Sequence, residues 1–490
     1  MRVAFAAVIS LGLVLSLPLT SAQPGVPEVV NISFPMAQPI LEAAGDDLPA
    51  EMKNLSPAGL QTAWAGWVIR HDQEMRARLL RGEEDTLVNF LLFGISFTHQ
   101  PRLHAMDLVH LAPGQGSSWP RANSSPDAAL FFKRVDDLLR GLAKPGDNER
   151  LQFLARLVQG QGFHPGKAYA THPDLAERDR LKAFVLAQAA RMVREQENFE
   201  KEFEEAQSLE DRTQDFAERS ELYRTRGLSF DTSLWPNMAL EEALKAMQRR
   251  GLLTPGSVRR AAVVGPGLDF TDKGAGYDFY PQQTIQCFAL VDTLLRLGLA
   301  HVGQLELTTF DISPRVNDHL RRARSRAQRG EGYVVQLPRP SQVPWKPEAT
   351  GYWRRFGDCI GTPVEAIHPP ALAGSVESRA VRIRPAIVSM ITPVNLNIVL
   401  QHLDLPPQKG FDLIIATNVF VYYNAFEQLL AVANMQRMLR PGGFLLSNNS
   451  LPLLNSSPMQ SVDYLSVLYS DLPDDGDVIV WYQRSQRAPE

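Results

Sequence analysis

The chain has 490 residues, too many for one ordinary hydrophobic core, which implies two or three domains. A hydrophobic fraction of 44% and a charged fraction of 21% exclude disorder, and a net charge of -4 gives no electrostatic footprint for a nucleic-acid groove. Only two cysteines occur, Cys287 and Cys359, which excludes a disulfide framework and leaves one bridge or two buried thiols.

Residues 1–22 carry one positive charge at Arg2, an apolar run from Val3 to Leu19, and small residues at Thr20, Ser21 and Ala22. This is the layout of a secretory signal and predicts export, periplasmic or extracellular. The run is of borderline length for a membrane span, so an uncleaved anchor is one alternative. Initiation at Met36 or Met52, giving a cytoplasmic product, is the other. Residues 23–50, rich in Pro and small residues, read as a linker or extended arm.

Residues 51–226 read as an all-α domain. In LSPAGLQTAWAGWVIRHDQEMRARLL, Ser56 is placed as an N-cap with Pro57 in the first turn, and Leu60, Trp64, Trp67 and Val68 recur at three and four residues. Further helices are expected around 84–97, 127–142, 148–159 and 174–222, the last long, charged and solvated with one apolar stripe. His99, His104 and His110 are spaced by five and six residues, so no two lie one helical turn apart; this is a surface pattern, not a metal site.

From about Gly227 to the end, apolar strand-like runs alternate with helical ones: AAVV, a helix from about Pro281, LELTTF, IVSMI with NIVL, FDLIIA, a helix over about 425–439, FLLS and VIVWY. The alternation predicts a doubly wound α/β domain with a mostly parallel sheet. The irregular, Pro- and Arg-rich stretch between Pro314 and Pro385 is too long for a simple connection and reads as an inserted subdomain.

Open α/β sheets bind ligands at the carboxyl ends of their strands, so the strand ends carry the functional reading. In VVGPGLDF, Gly265 and Gly267 follow a strand and let the backbone approach a ligand closely. In LELTTFDISP, Asp311 ends a strand where a carboxylate can accept both hydroxyls of a ribose; as a helix cap it would have a purely structural role. The loop TDKGAGYDFYPQQ accounts for the long gap between glycines and Asp311. Further on, FDLIIATNVFVYYN ends a strand in Thr417 and Asn418 followed by aromatic residues, and MLRPGGFLLSNN closes a helix in a Pro-Gly-Gly turn before another strand.

This ordered set resembles the class I S-adenosylmethionine-dependent methyltransferases over about 230–485, and within them the chemoreceptor glutamate methyltransferases of the CheR type. The shared signature is a strand ending in Asn-Val, two further apolar residues and a Tyr, here Asn418, Val419, Phe420, Val421 and Tyr422, with GYWRRFGD and AVRIRPAIVSMI in the place of that family's Tyr/Phe-rich insertion. The resemblance implies a Rossmann-like methyltransferase fold and S-adenosylmethionine as cofactor. It implies that Gly265 and Gly267 lie at the methionine part, Asp311 at the ribose, His402 and Leu403 at the adenine, and Asn418 near the sulfonium end, with Asp269, Ile312 and Val419 also binding the cofactor. Tyr422 would orient the acceptor, or offer its ring and hydroxyl beside the sulfonium.

The chain departs from that family in three places. The compact Gly-Glu-Glu-Pro-Tyr turn is replaced by a longer loop with Asp269, Asp278, Tyr280 and Pro281, an Asn-Leu pair appears as His402-Leu403, and the first half does not resemble the small helical substrate domain. Receptor glutamates are therefore not carried over, and the methyl acceptor stays open between a protein side chain and a small molecule. The competing reading is an exported, inactive methyltransferase-like binding or assembly module, because this cofactor is made inside cells. An NAD-dependent oxidoreductase leaves Asn418–Tyr422 and the Pro-Gly-Gly turn without a role. LDLPPQ, at 403–408, lacks the aromatic residue of the Asp-Pro-Pro-Tyr motif of nucleic-acid amino methylation and precedes its strand.

Overall fold

The computed structural model describes residues 27–45, 48–103, 108, 111–112, 119–207, 228, 232–271, 277–472 and 475–486, with backbone alone over 196–207. The signal read at 1–22, His104, His110 and the stretch 208–222 lie outside these residues. Among the described residues no helix is long and apolar enough to cross a membrane.

The N-terminal half is helical. Helix α2 (Pro57–Phe93) follows α1 (Phe34–Ala44) and runs unbroken for 37 residues, about 55 Å at 1.5 Å per residue. Its start is set by Ser56, whose hydroxyl accepts from Gly59 N–H, with Pro57 in the first turn. Helices α3 (Pro126–Ala143), α4 (Glu149–Gly160) and α6 (Leu175–Gln207) pack on its C-terminal half, and the short α5 (Pro165–Ala168) packs against those three. Leu87 to Leu92 of α2, Phe131, Leu138, Leu154, Leu181 and Val185 form that domain's core. One ring in that core comes from elsewhere: Phe270, fully buried there, follows the first strand of the α/β domain. Burying a phenyl ring contributes about 2–3 kcal/mol, so the two halves are joined at this point.

The C-terminal half begins with α7 (Trp235–Arg249) and continues through β2 (Arg260–Val264), α8 (Gln286–Arg296), β3 (Glu306–Asp311) and α9 (Pro314–Gln328). After an insertion come α11 (Pro385–Ser389), β7 (Ile391–Asn395), β8 (Gln401–Leu403), β9 (Phe411–Ala416), α12 (Ala425–Met438), β10 (Leu439–Ser447), β11 (Met459–Leu468) and β12 (Gly476–Arg484). Seven strands form one sheet in the order β11-β12-β10-β9-β2-β3-β7. The run β7-β3-β2-β9-β10 is parallel throughout, and β12 enters antiparallel between β10 and β11. This is a mostly parallel, doubly wound sheet of the Rossmann-like methyltransferase kind, with the strand order reversing between β2 and β9. Both faces are buried, as parallel strands require: Ala261, Val263, Leu413 and Ile415 point into one core, Ala262, Val264, Ile414 and Ala416 into the other.

Several sequence expectations are corrected. Residues 27–45, expected as an extended arm, hold β1 (Val29–Asn31), which pairs antiparallel with β8, and α1, which packs against α12. Pro35 sits in the first turn of α1, where proline is tolerated, and the burial of Ala37, Ile40, Leu41 and Ala44 outweighs Pro39 inside the helix. The insertion is narrower than 314–385 and is regular. Helix α9 belongs to the main layer, and the insert is a three-stranded sheet of β4 (Tyr333–Pro340), β6 (Val376–Ile383) and β5 (Gly361–Val364) with α10 (Pro347–Arg355). Ile387 and Val388, read as strand, lie in α11, and the strand falls one step later, across Pro393. The Pro-Gly-Gly segment is a register shift inside β10, with Gly442 at φ 78°. Both thiols are free.

Candidate functional site

At the carboxyl end of β2, Gly265 has φ 64° and Gly267 has φ 70°, a region glycine enters without cost. Gly265 N–H donates to Phe310 O at 2.8 Å, which ties the turn to β3. A Cβ on Gly265 would lie 2.9 Å from Val419 Cγ2, so the turn after β2 and the turn after β9 meet where a side chain does not fit.

Asp311 closes β3 beside β2, and its neighbour across the next pair is Asn395 at the end of β7. The carboxylate accepts from Ser313 N–H at 2.8 Å. Burial pushes its carboxyl up to about 7, and the backbone N–H of Ser313, the charge of Arg315 and the backbone N–H of Ile312 offset only part of this. A buried carboxylate in that state gains from further donors. Two ribose hydroxyls are such donors, so the residues present fit the nucleoside of S-adenosylmethionine.

The turn after β9 is held from below and from the side. Gln286 Nε2, at the start of α8, donates to Thr417 Oγ1 at 2.7 Å, and Gln428 Nε2 donates to Phe420 O at 3.1 Å and Tyr423 O at 2.8 Å. Asn418, exposed, has φ 58° and is the one non-glycine residue with positive φ among those described. Tyr422, half-buried, packs against the cores of both sheet faces. Asn424 and Glu427 form a reciprocal capping box that starts α12.

Helix α2 lies across these strand ends. Near its middle, His71 Nε2 meets Glu427 Oε1 at 2.8 Å. Arg76 bonds Asp72 at 2.8 Å and donates to Asn395 Oδ1 at 2.9 Å and Ile312 O at 3.5 Å. Asn397 Nδ2 donates to Asp72 Oδ1 at 2.8 Å, and Arg78 Nη1 donates to Tyr422 O at 3.2 Å. Further on, Glu83 sits 3.7 Å from Arg315. Burial alone would lower the His71 imidazole, but the hydrogen bond and charge of Glu427, with help from Glu74, lift it above its usual value.

The long loop after Gly267 is stapled to the helical domain. Arg150 of α4, 2% exposed, donates through Nε to Phe270 O and through Nη1 to Tyr280 O, with its guanidinium 5.9 Å and 5.6 Å from the two ring centroids. Glu149 accepts from Gln282 N–H. Asp278 accepts from Ile95 N–H and Ser96 N–H, each at 3.0 Å, and from Ser96 Oγ at 2.7 Å. The helical domain therefore holds both described ends of this loop.

Of the expected residues, the structure gathers Gly265, Gly267, Asp311, Ile312, Asn418, Val419 and Tyr422 at one edge of the sheet. Asp269 lies in the same loop, but its carboxylate accepts from Tyr280 OH at 2.7 Å and is 3% exposed, which makes it a loop-shaping group. His402 and Leu403 are not brought to this edge. They lie in β8, where His402 Nδ1 bonds Asn434 Oδ1 at 3.0 Å and Leu403 N–H points to Met438 Sδ at 3.3 Å, toward the C-terminal end of α12. That end leads straight into Leu439, opposite Phe411 at the start of β9, and so belongs to the amino-terminal edge. Asn395 and Leu396 occupy the strand end beside Asp311 instead. Sequence reasoning missed Asn395, Asn448 and the contacts from α2 and α4; the Asp72/Arg76 spacing of four was the only local signal. Among the described residues no group of three His, Cys, Asp or Glu is placed to hold a metal.

No protein-family model matches the sequence, and no curated protein matches it either. Similar solved structures include TrmN from Thermus thermophilus, with 12% identity over 51% of this chain and 52% of that one and a TM-score of 0.22. The magnesium protoporphyrin IX methyltransferase of Synechocystis PCC 6803 with bound SAM shares 11% identity over 51% and 79%, with a TM-score of 0.25. MtNAS in complex with MTA and tNA shares 11% over 72% and 98%, with a TM-score of 0.23. The match spans about half the length of TrmN. Likenesses of this size carry no argument about activity, and the fold rests on the strand order itself.

Proposed function

We propose that the chain is an S-adenosylmethionine-dependent methyltransferase whose C-terminal domain binds the cofactor and whose helical domain covers the site. The observation that carries this reading is the convergence of the Gly265 turn, the buried Asp311 and the Asn418 turn at one strand edge, on both sides of the point where strand order reverses. When bound, the cofactor supplies a methyl group already activated on sulfur. The chain's part is placement: Asp311 receives the ribose hydroxyls, the glycine turn admits the methionine end, and Asn418 and Tyr422 face the acceptor. Helix α2 covers the part of that edge at Asn395 and Tyr422.

Calorimetric titration with S-adenosylmethionine and S-adenosylhomocysteine tests this reading, with Asp311→Ala as the control expected to abolish the heat. No heat at millimolar ligand sinks it in favour of a binding or assembly module. We propose further that residues 1–22 direct export. Fractionation of cells carrying a tagged chain checks this, and a cytoplasmic product starting at Met36 or Met52 would overturn it.

A further inference from the structure

Asn418 holds a backbone conformation that costs an L residue roughly 1–2 kcal/mol, and Asn tolerates it better than most. Its surroundings explain how the conformation persists. Asn418 N–H donates to Asn448 Oδ1 at 2.8 Å, and Asn448 Nδ2 donates back to Asn418 Oδ1 at 2.6 Å. Asn448 follows β10, so this closed ring bridges two adjacent strand ends. Asn448 Nδ2 also reaches Asp477 Oδ1 at 3.3 Å, and the other oxygen of Asp477 accepts from Tyr469 OH at 2.7 Å.

The ring fixes which way both carboxamides face. A backbone N–H can only donate, so the Asn448 atom it meets is the oxygen, and the remaining Asn448 atom is the NH2 group. That group must donate, so the Asn418 atom 2.6 Å away is its oxygen. The carboxylate of Asp477 on the same NH2 group agrees with this orientation. With its oxygen committed, Asn418 has the two N–H bonds of Nδ2 left for a ligand, and it meets that ligand as a donor.

We infer that Asn448, backed by Asp477, is the positioning residue for Asn418, holding its backbone in the left-handed region and presenting its carboxamide N–H groups to the site. The inference rests on the methyltransferase reading only for the identity of the ligand. Three variants test it: Asn448→Ala, Asn418→Gly and the double variant. Hydrogen exchange at the Asn418 amide is expected to quicken about tenfold in Asn448→Ala, the loss of one hydrogen bond. The affinity for S-adenosylhomocysteine is expected to fall about tenfold in each single variant and no further in the double, because the two residues share one role. Unchanged amide exchange in Asn448→Ala overturns the inference, as do affinity losses that multiply in the double variant. A wild-type chain that binds no S-adenosylhomocysteine refutes the methyltransferase reading instead, and the exchange comparison still decides whether Asn448 positions Asn418.

Discussion

Replacing Arg150 with Ala tests whether the helical domain shapes the loop after β2. The side chain is almost fully buried and its guanidinium joins two carbonyls, Phe270 O and Tyr280 O, that bracket the loop. Removing the Arg150 donor from two buried carbonyls costs about 1–3 kcal/mol each, and the ring contacts add about 1 kcal/mol. The sum, about 3–7 kcal/mol, is a large part of the roughly 5–15 kcal/mol that holds a domain together. Urea unfolding measures the total, and peptide-level hydrogen exchange over 277–283 locates it. Arg150→Lys keeps the charge but not the fork, so it should retain one carbonyl contact and lose about half as much. A change below about 1 kcal/mol in Arg150→Ala, with unchanged exchange over the loop, would refute the staple.

Three other outcomes are expected. The folded carboxyl of Asp311 is raised to about 7, so its contribution to stability is full below its unfolded value and is lost as pH rises through about 7. Asp311→Asn should therefore stabilise the free chain at pH 8, by up to roughly 4 kcal/mol, with the gain vanishing near pH 4; pH-dependent melting checks this. The His71 imidazole is raised, so its contact with Glu427 contributes most below about pH 6.5 and fades as pH climbs past its folded value. His71→Gln should flatten the pH dependence of exchange protection at the start of α12. Gly265→Ala, at φ 64° with Val419 Cγ2 in the way, should cost about 1–3 kcal/mol in melting experiments and weaken cofactor binding.

The most legible strands were those buried on both faces: β2, β9 and the FLLS end of β10 are apolar runs. Strand β11 went unread because, at the sheet edge, it alternates as MQSVDYLSVL with one face exposed. The charged middle of α2, RHDQEMRARLLRGEED, broke the apolar period and hid that one helix spans the whole segment. Its charges serve the far half of the chain: Arg76 meets Asn395, Arg78 meets Tyr422, and His71 meets Glu427. Pairings across more than 300 positions leave no local pattern, so the enclosing wall was invisible while Gly265, Asp311 and Asn418 were not. His402 was misplaced for a similar reason, since only the contacts of β8 with the C-terminal end of α12 show which edge it occupies.

Where a nucleoside lies tests the site most directly. A crystal structure of the chain grown with S-adenosylhomocysteine should place both ribose hydroxyls on the Asp311 carboxylate, between the Gly265 turn and Asn395, with the sulfur toward Asn418. Density for the ligand at any other edge, or crystals that exclude it at millimolar concentration, would contradict the account.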